Sequence, residues 1–341
     1  MKMEEIYFWL RENNPQKLNE LWQIADETRK KNVGDEVHLR GLLEISNYCL
    51  QNCSYCGINV SMHHIERYRM TSAEIIEGIN TIVKLGYGTV VIQAGEDYGI
   101  TTKWLADIIR YTKANTSLAV TLSMGERPIF DLETWKEAGA DRYLLRFETS
   151  DSELYKIIHP SNRNRLAILK ELKKLGYEVG SGVMIGIPGQ TFKSLVNDIN
   201  LFRELDLDMI GIGPYISDPW TSLGKGLIKP QIDINEQVPN TEDITYKVIA
   251  LARLVCPDAN IPSTTALATL NKLNGRELGL TRGANIVMPN VTPPKYRVKY
   301  AIYPGKACLN ETAEQCASYF SKRITTLGRT VGNGKGGRKN K

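Results

Sequence analysis

Three cysteines lie within one eight-residue stretch, at Cys49, Cys53 and Cys56. Their spacing is Cys-x3-Cys-x2-Cys, and they follow an apolar run at 42–46 that predicts a β-strand. Three thiolates this close can hold three irons of a 4Fe-4S cluster, because cysteine sulfurs are the usual protein ligands of such clusters. The fourth iron then stays open, and it can bind a small molecule and pass an electron to it.

Two simpler interpretations of this cysteine triplet (Cys49, Cys53 and Cys56) are a zinc site and a disulfide. A structural zinc site takes four ligands, usually as two pairs, and no second pair lies close in the sequence. A disulfide would use two of the cysteines and leave the third idle. The triplet therefore favours an iron–sulfur cluster, with these cysteines as its metal ligands and as the catalytic centre.

From residue 39 onwards, apolar runs alternate with amphipathic helical segments. The predicted strands lie at 39–46, 89–93, 118–123, 142–146, 179–185, 209–213, 261–265 and 285–288. Continuous apolar strands separated by helices indicate a parallel sheet, and eight such units predict a closed barrel. The predicted fold class is therefore α/β, a (β/α)8 TIM-type barrel with N-terminal helices and a C-terminal helical extension. The predicted regions are a helical cover at 1–38, the barrel at 39–300, and an extension with a basic Gly-rich tail at 301–341.

The active site of such a barrel lies at the carboxyl ends of its strands. Polar and glycine-containing motifs follow the predicted strands there, at 93–97, 123–126, 146–149, 186–190, 211–215, 264–265 and 288–290. Any one of them alone would be an ordinary turn or helix cap. Their recurrence on one rim predicts a ligand cavity above the cysteine triplet.

The composition of the chain limits the classes of protein to which it can belong. The chain has 341 residues, 42% of them hydrophobic, and a net charge of +5. No signal peptide and no run of membrane-spanning length is present, so a cytoplasmic protein without a membrane partner is expected. The basic excess predicts a solvated, partly disordered tail, and without interleaved aromatic residues no nucleic-acid partner is expected. The basic residues concerned are Arg323, Arg329, Lys335, Arg338, Lys339 and Lys341.

The cysteine spacing, with Tyr55 directly before the third cysteine, resembles that of the radical S-adenosylmethionine (SAM) superfamily. The resemblance implies that the open iron chelates the amino and carboxylate groups of SAM. It also implies that electron transfer cleaves SAM to a 5′-deoxyadenosyl radical, chemistry that the cofactor performs while the protein orients and shields it.

Further motifs resemble the HydE family of FeFe-hydrogenase maturases within that superfamily, over roughly residues 18–330. They are Arg-x-Glu-Thr at 146–149, Gly-Ile-Pro-Gly-Gln at 186–190, Gly-Ile-Gly-Pro at 211–214, and Gly-Ala-Asn-Ile-Val-Met-Pro-Asn at 283–290. The resemblance implies action on a cysteine-bound iron carbonyl cyanide intermediate during assembly of the hydrogenase diiron site. The implied partners are a small-molecule or organometallic substrate, an electron donor such as ferredoxin or flavodoxin, and other maturases.

The family resemblance also implies residue roles. Residues expected to bind SAM are Tyr55, Gln93, Ser123, Glu126, Arg146, Glu148, Arg165, Met184 and Tyr300. Residues expected to line the substrate chamber are Arg40, Thr121, Arg142, Met209, Thr264, Thr265 and Tyr303. Two alternatives stay open: a rim salt bridge alone for Arg146 and Glu148, and core packing alone for Tyr300 and Tyr303.

The chain departs from the family pattern at several positions. Cys308 and Cys316 keep the first spacing of a second cluster, but Tyr319 replaces its third cysteine, so no complete second cluster is expected. Phe147 and Ala94 stand where a histidine and a serine are familiar. These departures leave two alternatives: a HydE-like enzyme with another substrate, such as an amino-acid mutase or a maturase of another metal cofactor, and a non-catalytic iron–sulfur scaffold or electron carrier.

Overall fold

A parallel β-sheet forms the centre of the molecule. The computed structural model describes residues 1–228, 232–309 and 311–338. All pairings between its strands are parallel. The strands are β1 (Glu36–Ser46), β2 (Thr89–Ala94), β3 (Ala119–Ser123), β4 (Arg142–Leu144), β5 (Glu178–Ile185), β6 (Met209–Pro214), β7 (Ile286–Val287) and β8 (Thr330–Gly332).

The sheet curls into a ring. Strands β1 to β6 pair in chain order, and β7 pairs with β1. Between β6 and β7, Asn260 bridges to Met209 and Pro262 bridges to Ile286. This confirms the TIM-type α/β fold, although the strand predicted at 261–265 is reduced to isolated bridges. Pro262 has no N–H for a strand ladder, and a helix already begins at Thr265.

Helices follow the strands and surround the ring. They are α1 (Met3–Arg11), α2 (Pro15–Val33), α3 (Ser72–Lys84), α4 (Thr102–Asn115), α5 (Ile129–Glu137), α6 (Ser152–Ile158), α7 (Arg165–Lys174), α8 (Phe192–Glu204), α9 (Glu242–Val255), α10 (Thr265–Leu270), α11 (Gly275–Leu280), α12 (Pro294–Arg297) and α13 (Ala313–Thr326). The capping box predicted at Thr71 and Glu74 starts α3. No helix among these described residues is long and apolar enough to cross a membrane.

The core lies between the ring and its helices. On α3, Gly78 faces Leu43 of β1, and a Cβ added at Gly78 would lie 2.6 Å from Leu43 Cδ2. The missing side chain therefore lets this helix approach the sheet closely. The two N-terminal helices pack outside this layer, α1 against α8 and α2 against α9. Asn14 caps α2 by accepting hydrogen bonds from two backbone N–H groups.

The C-terminal tail lies across the amino end of the barrel, so the prediction of a solvated tail is wrong for 330–338. Strand β8 pairs with the start of β1. The Lys335 carbonyl then accepts hydrogen bonds from Thr89 Oγ1 at 2.9 Å and Arg142 Nη2 at 3.0 Å. Arg338 pairs with Asp258 at 2.9 Å. Composition could not show these contacts, because the tail bonds Thr89 and Arg142 through a backbone carbonyl, a group that every sequence has. Lys339 and Lys341 lie outside the described residues.

Candidate functional site

The cysteine triplet lies in the loop that follows β1, at the carboxyl end of the barrel. Backbone hydrogen bonds tie this loop to neighbouring rim segments, from Leu50 N to the Glu96 carbonyl at 3.0 Å and from Ser54 N to the Ile158 carbonyl at 2.9 Å. Cys53 is buried, while Cys49 and Cys56 are half-buried. The loop therefore holds the three thiols in a protected position at the mouth of the barrel.

The thiols themselves favour a cluster over a single ion. Their sulfur atoms do not all lie within 4.8 Å of one another. Four ligands around one zinc at about 2.3 Å would be closer than that. Burial raises the pKa of all three thiols, that of Cys56 to about 12, and the neighbouring cysteine charges raise the pKa of Cys53 further. Such thiols ionise together only beside positive charge, which the irons of a cluster supply.

A buried polar chain supports Cys53 from behind. His159 Nδ1 lies 2.9 Å from Cys53 Sγ, and His159 Nε2 lies 2.7 Å from Glu126 Oε1. Arg165 Nε donates to the same Glu126 oxygen at 2.7 Å. Burial alone would raise the pKa of Glu126, but the hydrogen bonds from His159 and Ser161 and the charge of Arg165 lower it to about 2. The carboxylate therefore stays ionised and fixes the imidazole against the cluster loop.

His159 was not predicted from the sequence. It follows the last residue of α6 and precedes Pro160, so the sequence shows an ordinary helix end. Its partner Cys53 lies 106 positions earlier in the chain. The one available signal was its place in the segment that follows a barrel strand, on the rim where the other polar motifs occur.

A cavity of about 270 Å³ lies inside the barrel beside Cys56. It brings together twelve of the residues predicted to form the site. They are Arg40, Tyr55, Cys56, Gln93, Thr121, Arg146, Glu148, Met184, Met209, Thr264, Thr265 and Tyr303. The predicted residues thus surround one space, with one cysteine of the triplet, Cys56, at its edge.

Arg146 and Glu148 form the charged part of the wall. Arg146 Nη2 lies 3.1 Å from Glu148 Oε2, and the Tyr55 hydroxyl donates to Glu148 Oε1 at 3.4 Å. Glu148 has a φ of 64°, in the left-handed region that non-glycine residues rarely adopt and that is found most often at functional sites. The predicted rim salt bridge is therefore present, and it faces the cavity.

Two polar atoms at this wall have no protein partner. Within the described ranges, Arg146 Nε and Thr121 Oγ1 are buried without a hydrogen bond. A buried donor left unpaired costs about 1–3 kcal/mol, so such atoms are normally satisfied. Their position fits a polar ligand with acceptor groups, as SAM has in its carboxylate. The cysteines and the cavity wall together fit the pair of cofactors, a cluster and SAM.

A second charged pair lies opposite. Lys306 Nζ pairs with Glu44 Oε1, and both side chains are almost fully buried. Asn290 Nδ2 donates to the other oxygen of Glu44 at 2.8 Å. Tyr300 is buried beside them and its hydroxyl accepts from Gln93 Nε2 at 3.3 Å. The sequence motifs included Lys306 and Asn290, but not the ion pair that joins residues 262 positions apart.

Comparison with known proteins supports one family. The family model of the radical SAM superfamily matches residues 43–202. The chain is 46% identical over 321 residues to the FeFe hydrogenase maturase subunit HydE of Thermotoga maritima, covering 94% of this chain and 88% of that protein. The chain belongs to the HydE family of radical SAM enzymes.

More distant relatives share the fold. The 3-methylornithine synthase of Methanosarcina acetivorans is 26% identical over 276 residues, covering 80% of this chain and 74% of that protein. The crystal structure of methylornithine synthase (PylB) superposes with a TM-score of 0.81 at 24% identity, covering 97% of this chain and 94% of that chain. The resemblance to radical SAM enzymes and to HydE is thereby confirmed, and this family implies a 4Fe-4S cluster and SAM.

Several predicted site residues of this HydE-family enzyme lie outside the cavity. Glu126 and Arg165 belong to the buried chain behind Cys53, and Ser123 ends β3 without reaching the cavity wall. Cys49 and Cys53 lie in the loop above, and Tyr300 reaches the cavity only through Gln93. Among the residues predicted to bind SAM, Arg146 and Glu148 are the charged pair that lines the cavity.

Arg142 and Arg40 point to the amino end of the barrel. Arg142 Nε donates to Glu178 Oε2 at 2.7 Å, and its other nitrogens bond Thr89 and the tail. Arg40 touches the cavity, but its Nη2 donates to the Gly336 carbonyl at 2.8 Å. Burial and the charge of Arg142 lower the pKa of Arg40 well below its ordinary value. The protein thus bonds all three nitrogens of Arg142, whereas Arg40 Nε is buried without a hydrogen bond within the described ranges.

Proposed function

We propose that this enzyme cleaves SAM reductively and acts as a maturase in the assembly of the FeFe-hydrogenase diiron site, on a cysteine-bound iron carbonyl cyanide substrate. The observation that supports it most directly is that Cys56, Arg146 and Glu148 line one enclosed cavity. The 46% identity to HydE over 94% of the chain supports the maturase role. The proposed partners are an electron donor such as ferredoxin or flavodoxin, and other maturases.

Each part of the cavity has a proposed task. Cys49, Cys53 and Cys56 hold a 4Fe-4S cluster by three of its irons. When bound, the cluster supplies the electron that cleaves SAM into methionine and a 5′-deoxyadenosyl radical. Arg146 binds the SAM carboxylate through its planar guanidinium, and Glu148 accepts from the ammonium group. Glu148 is buried and Arg146 is half-buried, and the contact between them orients both side chains before SAM arrives.

The rest of the cavity serves the substrate. Thr264, Thr265 and Tyr303 lie on the wall together with the Glu44–Lys306 pair. We assign the hydroxyl groups to orient the substrate, and the lysine to offset negative charge on it. The closed ring of strands excludes water from the reaction, which protects a reactive carbon radical from side reactions.

Product analysis tests the first part of this proposal. The anaerobically reconstituted and reduced protein, given SAM, should release 5′-deoxyadenosine and methionine in equal amounts. Cys56→Ala should abolish both products, whereas Cys256→Ala, at a buried cysteine far from the loop, should not. A fully loaded cluster with no SAM binding and no product would instead indicate an electron carrier or scaffold.

Complementation tests the second part. Cells that lack HydE should regain hydrogenase activity when they express this chain. Failure with an intact cluster and active SAM cleavage would favour the alternative, a HydE-like enzyme for another substrate. The structure offers little support for that alternative, because neither Phe147 nor Ala94, the two departures from the family pattern, lines the cavity.

A further inference from the structure

A pair of thiols lies away from the barrel cavity, at the start of α13. Cys316, in the first turns of that helix, lines the same surface cavity as Cys308, and the two side chains interact. Cys308 precedes the helix and has a φ of 63°, in the left-handed region. Arg297 holds this backbone in place by donating to the Cys308 carbonyl at 3.1 Å. The fold therefore maintains the contact between the two sulfur atoms at a cost in backbone strain.

The two thiols differ in charge. The hydrogen bond from Cys316 and the positive charge of Arg276 lower the pKa of Cys308 to about 6. Arg276 Nη1 lies 3.5 Å from Cys308 Sγ. The same hydrogen bond, followed by burial, raises the pKa of Cys316. At neutral pH the pair thus consists of one thiolate and one thiol, which is the state that attacks disulfides most readily.

The two cysteines also differ in their exposure to solvent. Cys308 is half-buried, and Cys316 is 3% exposed. Both line a surface cavity of about 650 Å³, together with Lys272, Arg276 and Tyr319. A small molecule therefore reaches the thiolate first and the thiol second. Lys272 and Arg276 place positive charge on this cavity and Glu277 and Glu311 place negative charge on it, so the lining selects a small ligand by size rather than by the sign of its charge.

We propose that Cys308 and Cys316 are a thiol–disulfide exchange site for low-molecular-mass disulfides. The Cys308 thiolate attacks one sulfur of the small disulfide R–S–S–R, and the first RS⁻ leaves. The Cys316 sulfur then displaces the second RS⁻, gives up its proton to a leaving thiolate, and forms the bond to Cys308. Two electrons pass from the two protein sulfurs to the small disulfide, which leaves as one thiol and one thiolate.

The exchange site is joined to the barrel cavity. Arg276 Nη2 lies 3.3 Å from Thr265 Oγ1, and Thr265 lines that cavity. Lys306, two residues before Cys308, forms the buried pair with Glu44. Formation of the disulfide removes the negative charge of the Cys308 thiolate, which Arg276 faces. Because Arg276 also contacts Thr265, the redox state of the two thiols affects a side chain on the wall of the barrel cavity.

Oxidised glutathione is the probe for the test. The cluster-loaded protein is incubated with it anaerobically at pH 7.5, unfolded, alkylated with iodoacetamide, and digested for mass spectrometry. We expect a peptide pair joined by a Cys308–Cys316 disulfide. Cys316→Ser should stop at a mixed disulfide on Cys308, and Cys308→Ser should leave Cys316 free. Cys256→Ser is the matched control and should react as the wild type does.

Two results would overturn the proposal. One is full alkylation of both cysteines after exposure to oxidised glutathione. The other is a loss of protein-bound iron in Cys308→Ser, which would show that the pair holds a metal. The pH profile adds a separate measure: the rate of reaction should be half-maximal near pH 6 and fall below it, whereas an ordinary cysteine would have its midpoint near about 8.5.

Discussion

Arg142 and Arg146 lie at opposite ends of the barrel and differ in how fully the protein satisfies their hydrogen-bond donors. At the amino end, Arg142 has three partners, Glu178, Thr89 and the Lys335 carbonyl, at 2.7–3.0 Å. At the carboxyl end, Arg146 has a buried Nε without a partner in the described ranges. Folding alone favours the first arrangement, because unpaired buried donors are costly. The difference between these two side chains indicates that Arg142 stabilises the fold, and it supports the proposal that Arg146 binds a ligand.

The largest expected effect is at the cysteine triplet. Cys53→Ala should abolish the cluster absorption and lower SAM cleavage to background, because two remaining thiols cannot hold three irons. Cys256→Ala, an equally buried cysteine outside the loop, is the control and should keep both. Absorption spectroscopy and product assay measure the outcome. A normal cluster in Cys53→Ala would contradict the assignment of the cysteine triplet, at the carboxyl end, to cofactor binding.

The next effect concerns the amino end. Arg142→Met keeps most of the volume but leaves Glu178 and the tail carbonyl without their donor. We expect a loss of about 2–4 kcal/mol in the free energy of unfolding in urea, with SAM cleavage at 25 °C unchanged. Arg110→Met, at an exposed ion pair, should change stability by less than about 1 kcal/mol. Lower activity with unchanged stability would restore the predicted substrate role of Arg142.

Arg142 and Arg146 also show what the sequence can and cannot predict. The apolar runs and the cysteine spacing predicted the barrel and its rim, because these are local patterns. Arg142 was placed in the substrate chamber although it begins β4, and the rule that sites lie at strand carboxyl ends already argued against this. The tail could not be predicted, since its contacts with Thr89 and Arg142 span 246 and 193 positions and use backbone carbonyls.

A smaller effect is expected at Arg146 itself. Arg146→Lys keeps the charge but loses the planar fork that suits a carboxylate. We expect the dissociation constant for SAM to rise about 10–100-fold, equivalent to roughly 1.4–2.7 kcal/mol. The thermal midpoint should barely change, because the guanidinium is not fully bonded within the protein. The measurement is SAM titration of the cluster-loaded protein.

The matching substitution at the amino end is Arg338→Lys. Arg338 contacts three aspartates, Asp258 at 2.9 Å, Asp206 at 2.7 Å and Asp208 at 3.2 Å. Its replacement should lower the thermal midpoint and leave the SAM dissociation constant unchanged. Equal SAM affinities in both lysine variants would contradict the assignment of Arg146 to the cofactor.

The smallest expected effect is at His159. A cluster-bound Cys53 sulfur can only accept a hydrogen bond, so the Nδ1 atom 2.9 Å away must carry the proton. His159 Nε2 faces the ionised Glu126 carboxylate at 2.7 Å, which also only accepts, so this nitrogen is a donor as well. An N–H donor stabilises the more negative, reduced cluster, so the potential should fall when the donor is removed. A bond of about 1 kcal/mol corresponds to roughly 40 mV for one electron.

His159→Leu should therefore lower the midpoint potential of the cluster by roughly that amount, as measured by potentiometric titration with paramagnetic resonance detection. His159→Gln, which can still donate from an amide, should recover part of the shift. If His159 only filled space, both variants would move the potential equally or not at all. Recovery in the glutamine variant alone would show that His159 acts on the cluster by donating a hydrogen bond to Cys53. His159 would then be bonded within the protein, as Arg142 is at the amino end, and would still act on the cofactor.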